Sequence, residues 1–246
     1  MSIHKTNKDA PFIHHEMIVE WDIKSANTSL IRYYSLLDEK QVDRIESLSK
    51  EKRNVIIGKM MKQKDFSINL EKSFTSIIQE FISANSLEWE DIVSIKKDAI
   101  FVRNKEIKQN QFGPVTFLRK NQYSGCLLLP KFEFYYSNDK IDVKGISDTV
   151  LSLHKDGMML LVDTVMKESR NWRSLNRLLK EYASLYKNKA LPYNAYREFN
   201  SDSKFIVNMF GNIVRMDNID DELLDMTDIS FNYINVYLEI LKSTAN

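Results

Sequence analysis

The stretch Asp91–Arg103, DIVSIKKDAIFVR, leaves little freedom in local structure. Ile92–Ile95 and Ala99–Val102 are rich in β-branched and aromatic residues, which favour a pleated, half-buried surface. Only Lys96, Lys97 and Asp98 separate them, and a gap that short closes as an antiparallel hairpin. The tip thus holds one carboxylate, Asp98, between lysines and an apolar strand. A second run, Met17–Ile23 (MIVEWDI), also reads as a strand and carries Asp22 near its end.

Helical periodicity follows the Met17–Ile23 run. Ala26–Leu37 and Glu39–Leu48 read as helices. Residues 50–85 show apolar spacing through Ile56, Met60, Phe66, Leu70, Phe74 and Phe81, with a break near Asp65. Phe112–Val143 is β-rich, with a turn at Asn138-Asp139. From Asp148 the period turns helical again, over Asp148–Lys167, Trp172–Lys187 and Phe231–Leu241. A boundary near Ile146 divides residues 1–146 from an all-helical 147–246.

Bulk properties narrow the function classes. With 246 residues and 43% hydrophobic content the chain can bury a sizeable core. It has 35 basic and 34 acidic residues, so any grip on nucleic acid must come from local clusters. The lone Cys126 excludes an internal disulfide and a cysteine-based zinc site, fits a reducing compartment, and reads as a small core residue. No apolar run reaches the roughly 18 residues of a membrane span, and the N-terminus lacks a signal-peptide core, so the expected location is cytoplasmic. Abundant Lys, Asn and Ile point to an AT-rich genome such as that of a phage or other mobile element.

Two aspartates at neighbouring strand ends form a hard oxygen site suited to Mg²⁺ or Mn²⁺, and two such ions clamp the oxygens of a phosphoryl transfer. Taken singly, Asp22 also suits a helix N-cap and Asp98 a turn. His14 and His15 have no third ligand at useful spacing. The run at 187–205, with Tyr193, Tyr196 and Phe199, interleaves basic and aromatic residues that suit either loop packing or base stacking.

The order of several motifs resembles that of family B DNA polymerases. DIKSANTSL, from Asp22, is similar to motif A, with Ser25 matching and Ala26 and Asn27 replacing Leu-Tyr. KEKRNVIIG resembles motif B through Lys50, Asn54 and Gly58. KKDAIFV resembles motif C through Asp98, with Lys96 in place of its first aspartate. KNQYSG, holding Lys120, Tyr123 and Gly125, is similar to the primer-touching signature; Lys144-Gly145 and the tail DISFNYINVYLEIL follow where a thumb begins and ends.

The resemblance implies an α+β fold: an antiparallel palm sheet, reduced helical fingers at about 36–85, and a C-terminal helical thumb, without an exonuclease domain. It implies a nucleotidyltransferase that extends a primer on a primer-template from nucleoside triphosphates, with Asp22 and Asp98 as catalytic metal ligands. Lys24, Ser25, Asn27, Lys50, Arg53, Asn54 and Lys59 would bind the nucleotide, and Lys120, Tyr123 and Lys144 the nucleic acid. A second polypeptide would supply the missing fingers or exonuclease. The other reading is an inactive palm–thumb relic that binds nucleic acid or assists a polymerase.

Overall fold

The computed structural model describes residues 4–129, 133–144, 155–188, 190, 205–209 and 212–216. The chain is α+β. It opens with β1 (Lys5–Thr6) and a long β2 (Phe12–Ile23). Four helices follow: α1 (Ala26–Tyr33), α2 (Glu39–Glu46), α3 (Lys50–Met60) and α4 (Lys64–Ala84). Next come β3 (Ile92–Ile95), β4 (Ala99–Arg103), β5 (Gln111–Phe112), β6 (Val115–Leu128), β7 (Glu133–Tyr136) and β8 (Ile141–Lys144). The remaining described elements are α5 (Lys155–Leu161), a π-helical turn (Val162–Met166), α6 (Trp172–Lys187), β9 (Phe205–Met209) and β10 (Asn212–Met216).

The chain divides into two compact units, Met1–Asp9 with Glu16–Gln122, and Ala10–His15 with Tyr123–Asn246. In the first unit, β4 lies between β3 and β2, all antiparallel. The predicted hairpin forms, and the Lys96 N–H donates to the Ala99 carbonyl at 2.7 Å to close it. Helix α2 starts at a capping box, where Asp38 and Gln41 satisfy each other's backbone amides. Ser49 caps α3 through the Lys52 N–H. The expected long helix is two: Met61–Gln63 separate α3 from α4, slightly before the break foreseen at Asp65. One face of α4 buries Leu70, Phe74, Ile77 and Phe81 against the strands, and Phe81 stacks 4.3 Å from Phe117. That burial holds the helical layer in place, because each such side chain removed from water contributes about 1.5–3 kcal/mol.

In the second unit β7 pairs with β6 and with β8. All four residues of β7, EFYY, are buried. His14 uses both ring nitrogens there: Nδ1 meets the Tyr136 hydroxyl at 3.0 Å and Nε2 the Lys167 carbonyl at 3.1 Å. A neutral ring that accepts from Tyr136 and donates to Lys167 satisfies both. His15 has φ 59, and this left-handed backbone lets its ring approach His14 to 3.6 Å, although neighbours on a regular strand face apart. Cys126 is buried, as a small core residue should be.

A polymerase palm with helical fingers and a C-terminal helical thumb is not what forms. The strands run β1-β3-β4-β2-β6-β7-β8 in one eight-stranded antiparallel sheet, with β5 paired to β6. The extension arises because β6 is long and its far end, Gly125–Leu128, pairs residue for residue with the wholly buried β7. Nor is the C-terminal part all helical: β9 and β10 pair antiparallel, Phe205↔Met216 to Met209↔Asn212. Those segments, FIVNM and NIVRM, carry the β-branched residues that favour strands. The boundary near Ile146, the helix foreseen at Phe231–Leu241 and most of the mixed run 187–205 lie outside the described residues.

Candidate functional site

Asp22 and Asp98 meet because of strand register. Asp22 stands opposite Ala99 across the β2–β4 ladder, and the Ile23 N–H donates to the Asp98 carbonyl at 2.9 Å. Both aspartates line one cleft of about 430 Å³ in the first unit. Its other walls are the start of α1 (Ser25, Ala26, Asn27, Thr28) and one face of α3 (Lys50, Arg53, Asn54, Ile57). The α3 residues recur at i, i+3, i+4 and i+7, the spacing of a single helical face. Buried Ile57 anchors that face to the core, while Lys50 and Asn54 stay exposed.

The approach to α1 is sharp. Ser25 is left-handed (φ 49), and its side chain does not cap the helix. The buried hydroxyls behind it tie the turn down: Thr28 donates to the Ser25 carbonyl at 3.1 Å and Ser29 to the Lys24 carbonyl at 3.2 Å. The first turn of α1 therefore sits against the cleft with its amide end leading, a favourable surface for anions. The cleft thus gathers two aspartates, two basic residues and a helix start.

Lys120, on β6, bridges the acidic side. Its Nζ is 3.0 Å from Asp22 Oδ2 and 3.9 Å from Glu20 Oε1. The hydrogen bond to Asp22 raises the lysine's pKa above its ordinary value; burial opposes this, and the fields of Asp22, Glu20 and Asp98 add to it. Glu20 is buried and accepts a hydrogen bond from Asn121 Nδ2. Sequence reasoning passed over Glu20, although period-two alternation in MIVEWDI already sets it on the face of Asp22.

The hairpin lysines bear on the missing first aspartate of motif C. Lys97 Nζ lies 4.8 Å from the centre of the Phe74 ring, a cation–π contact that directs it onto α4. Neither Lys96 nor Lys97 lines the cleft.

Of the anticipated nucleotide residues, Ser25, Asn27, Lys50, Arg53 and Asn54 share the cleft with the aspartates; Lys24 and Lys59 do not. Lys59 is nine positions beyond Lys50, which at 3.6 residues per turn carries it to the opposite side of α3. Lys24 is exposed, and its N–H donates to the Thr116 carbonyl at 2.9 Å. Tyr123 and Lys144 belong to the second unit. The Tyr123 hydroxyl donates to Asp142 Oδ2 at 2.7 Å, and Lys144 Nζ lies 2.8 Å from the same oxygen. Burial pushes the Asp142 carboxyl up, but Lys144 and Tyr123 outweigh it and hold its pKa below the ordinary value. Tyr123 is thus buried in a polar cluster with Asp142, which half-buried Lys144 joins.

The donor chemistry suits a hard divalent ion. Mg²⁺ commonly keeps several waters and takes one or two carboxylates together with substrate phosphates, and Asp22 and Asp98 provide that number. Among the described residues no group of three or more His, Cys, Asp or Glu side chains is arranged to hold a metal.

The sequence profile of the bacteriophage PBS1 gene 130 protein matches residues 3–246. The chain belongs to this family. Membership in the PBS1 gene 130 family gives it a phage kinship, which its abundant Lys, Asn and Ile had suggested. No curated protein matches this gene 130 family chain. Among its described residues no helix is long and apolar enough to cross a membrane.

Proposed function

We propose that the first unit is a divalent-metal-assisted nucleotidyltransferase that joins the nucleoside monophosphate part of a nucleoside triphosphate to the end of a nucleic-acid primer and releases pyrophosphate. The observation that carries this reading is the single cleft shared by Asp22, Asp98, Lys50, Arg53 and Asn54. A triphosphate brings several negative charges, and this cleft matches them with two cationic side chains and the leading end of α1. Asp22 and Asp98 would hold Mg²⁺ or Mn²⁺. When bound, the metal neutralises the phosphates and lowers the pKa of an attacking hydroxyl. Lys50 and Arg53 draw the phosphate chain along α3, and Asn54 offers an amide for its orientation. Asn27 lies at the α1 wall, where a short polar side chain leaves room for a ribose hydroxyl, so ribonucleotides are admissible substrates. The setting is the host cell of a phage, and a second polypeptide is a natural source of the duplex-holding surface.

The test uses the full chain with Mg²⁺ or Mn²⁺, a labelled primer-template, and deoxy- or ribonucleoside triphosphates. Extension is expected for the wild type and absent for Asp98→Ala. Wild-type extension that survives in Asp98→Ala removes this site from the chemistry.

The Lys120–Asp22 ion pair favours a second reading, a phosphate-binding module without catalysis. Here Lys120 permanently replaces a metal. Triphosphate binding that needs no divalent ion, with no extension by the wild type, supports this alternative.

A further inference from the structure

We propose that Lys120 is an exchangeable stand-in for the divalent cation: it neutralises Asp22 when no metal is bound, and moves onto Glu20 when one arrives. This rests on the reading of Asp22 and Asp98 as metal ligands. The two roles of Lys120 are nearly within reach of one position. Its ammonium is 3.0 Å from Asp22 and 3.9 Å from Glu20, so about an ångström of travel converts one ion pair into the other. The side chain is 53% exposed, which leaves its four-carbon stem free to swing. Glu20, in contrast, is 3% exposed and anchored through Asn121, so it is a fixed receiver.

The electrostatics run in the same direction. Without a metal, Asp22 and Asp98 are like charges lining one cleft, and the Lys120 ammonium beside Asp22 relieves their repulsion. With a metal on Asp22, an ammonium at 3.0 Å from the same carboxylate becomes a repulsive neighbour. Glu20 is then the nearest other carboxylate to Lys120, its Oε1 3.9 Å from Nζ. Lys120 and Glu20 are thus positioning residues, which act on the metal through Asp22. Exchange of this kind keeps the acidic strand end folded before substrate arrives, and it sets a threshold concentration for the ion.

Mn²⁺ binding to the full-length protein, followed by the paramagnetic resonance of free Mn²⁺, tests the exchange in the wild type, Lys120→Met, Glu20→Gln and the double variant. Lys120→Met removes the competitor and tightens binding by about tenfold, the effect of one screened unit charge near the site. Glu20→Gln removes the receiver and weakens binding, and this weakening disappears in the double variant, where no lysine remains to be received. Unchanged or weaker binding in Lys120→Met overturns the proposal. So does a Glu20→Gln loss that persists without Lys120, because Glu20 would then be a ligand. Should Glu20→Gln fail to fold by circular dichroism, Lys120→Met decides alone. Equal binding by the wild type and Lys120→Met, lost in Asp22→Asn, sinks the exchange and leaves the metal site standing. No Mn²⁺ bound by either folded protein sinks both.

Discussion

Replacing Gly125 by alanine tests how closely the second unit is packed. Gly125 stands opposite Tyr136 across the β6–β7 ladder. A Cβ built on it would lie 2.5 Å from the Tyr136 hydroxyl, 2.6 Å from its Cζ and 2.7 Å from the Ile13 carbonyl. None of these neighbours yields cheaply. Tyr136 is fully buried and its hydroxyl meets His14, while the Ile13 oxygen is backbone. Overpacking a tight core typically costs about 1–3 kcal/mol, and a clash with both a buried ring and a backbone carbonyl belongs at the upper end, about 3 kcal/mol. For a chain of this size that corresponds to a melting midpoint lower by roughly 6–12 °C. Thermal unfolding followed by far-ultraviolet circular dichroism measures the shift. A glycine kept for contact with nucleic acid would leave the melting of the free protein unchanged. A Gly125→Ala midpoint within about 2 °C of the wild type refutes the packing argument.

Two further predictions concern stability. Phe81→Ala empties a site that Trp21, Phe112 and Phe117 surround, and it should cost about 3–5 kcal/mol in a urea titration; a loss below about 1 kcal/mol contradicts the packed aromatic centre. His14 has its pKa lowered from the usual 6.5, first by burial, which the hydrogen bond to Lys167 only partly offsets. The unfolded chain therefore takes up the proton more readily, so the stability owed to neutral His14 is complete above about pH 6.5 and fades as pH falls through the lower folded pKa. Melting midpoints between pH 8 and 5 should fall more steeply for the wild type than for His14→Gln, and parallel curves would show that His14 is not the titrating group.

The sequence disclosed the site better than the frame around it. Asp22 and Asp98 were legible because alternation fixes which way strand residues face, and a three-residue gap allows only a hairpin. The grouping of Lys50, Arg53 and Asn54 follows equally from helical period. Lys59 shows the limit of motif reading, since its distance along α3 turns it away from its supposed partners. Lys120 and Tyr123 are close in sequence, yet Lys120 pairs with Asp22 while Tyr123 is drawn inward to Asp142. Nothing local to KNQYSG distinguishes those fates, which depend on strands remote along the chain. The β9–β10 hairpin interrupts the helical periodicity that starts at Asp148, and its signal lies only in the β-branched residues of FIVNM and NIVRM. The left-handed turn at Ser25 had no signal, for serine is not a residue that ordinarily adopts that conformation.

The pairing of Asp22 with Ala99 makes the acidic edge a question of odd and even. One codon added within β2 ahead of Asp22 would send its carboxylate to the side where Trp21 meets Phe81, stranding a charge among aromatic rings. Two added codons would restore the side but slide the oxygen a rung along the ladder. Length changes that spare the edge are confined to the connections, such as the stretch between Arg103 and Gln111, while the span from Met17 to Ile23 can vary in composition far more readily than in count.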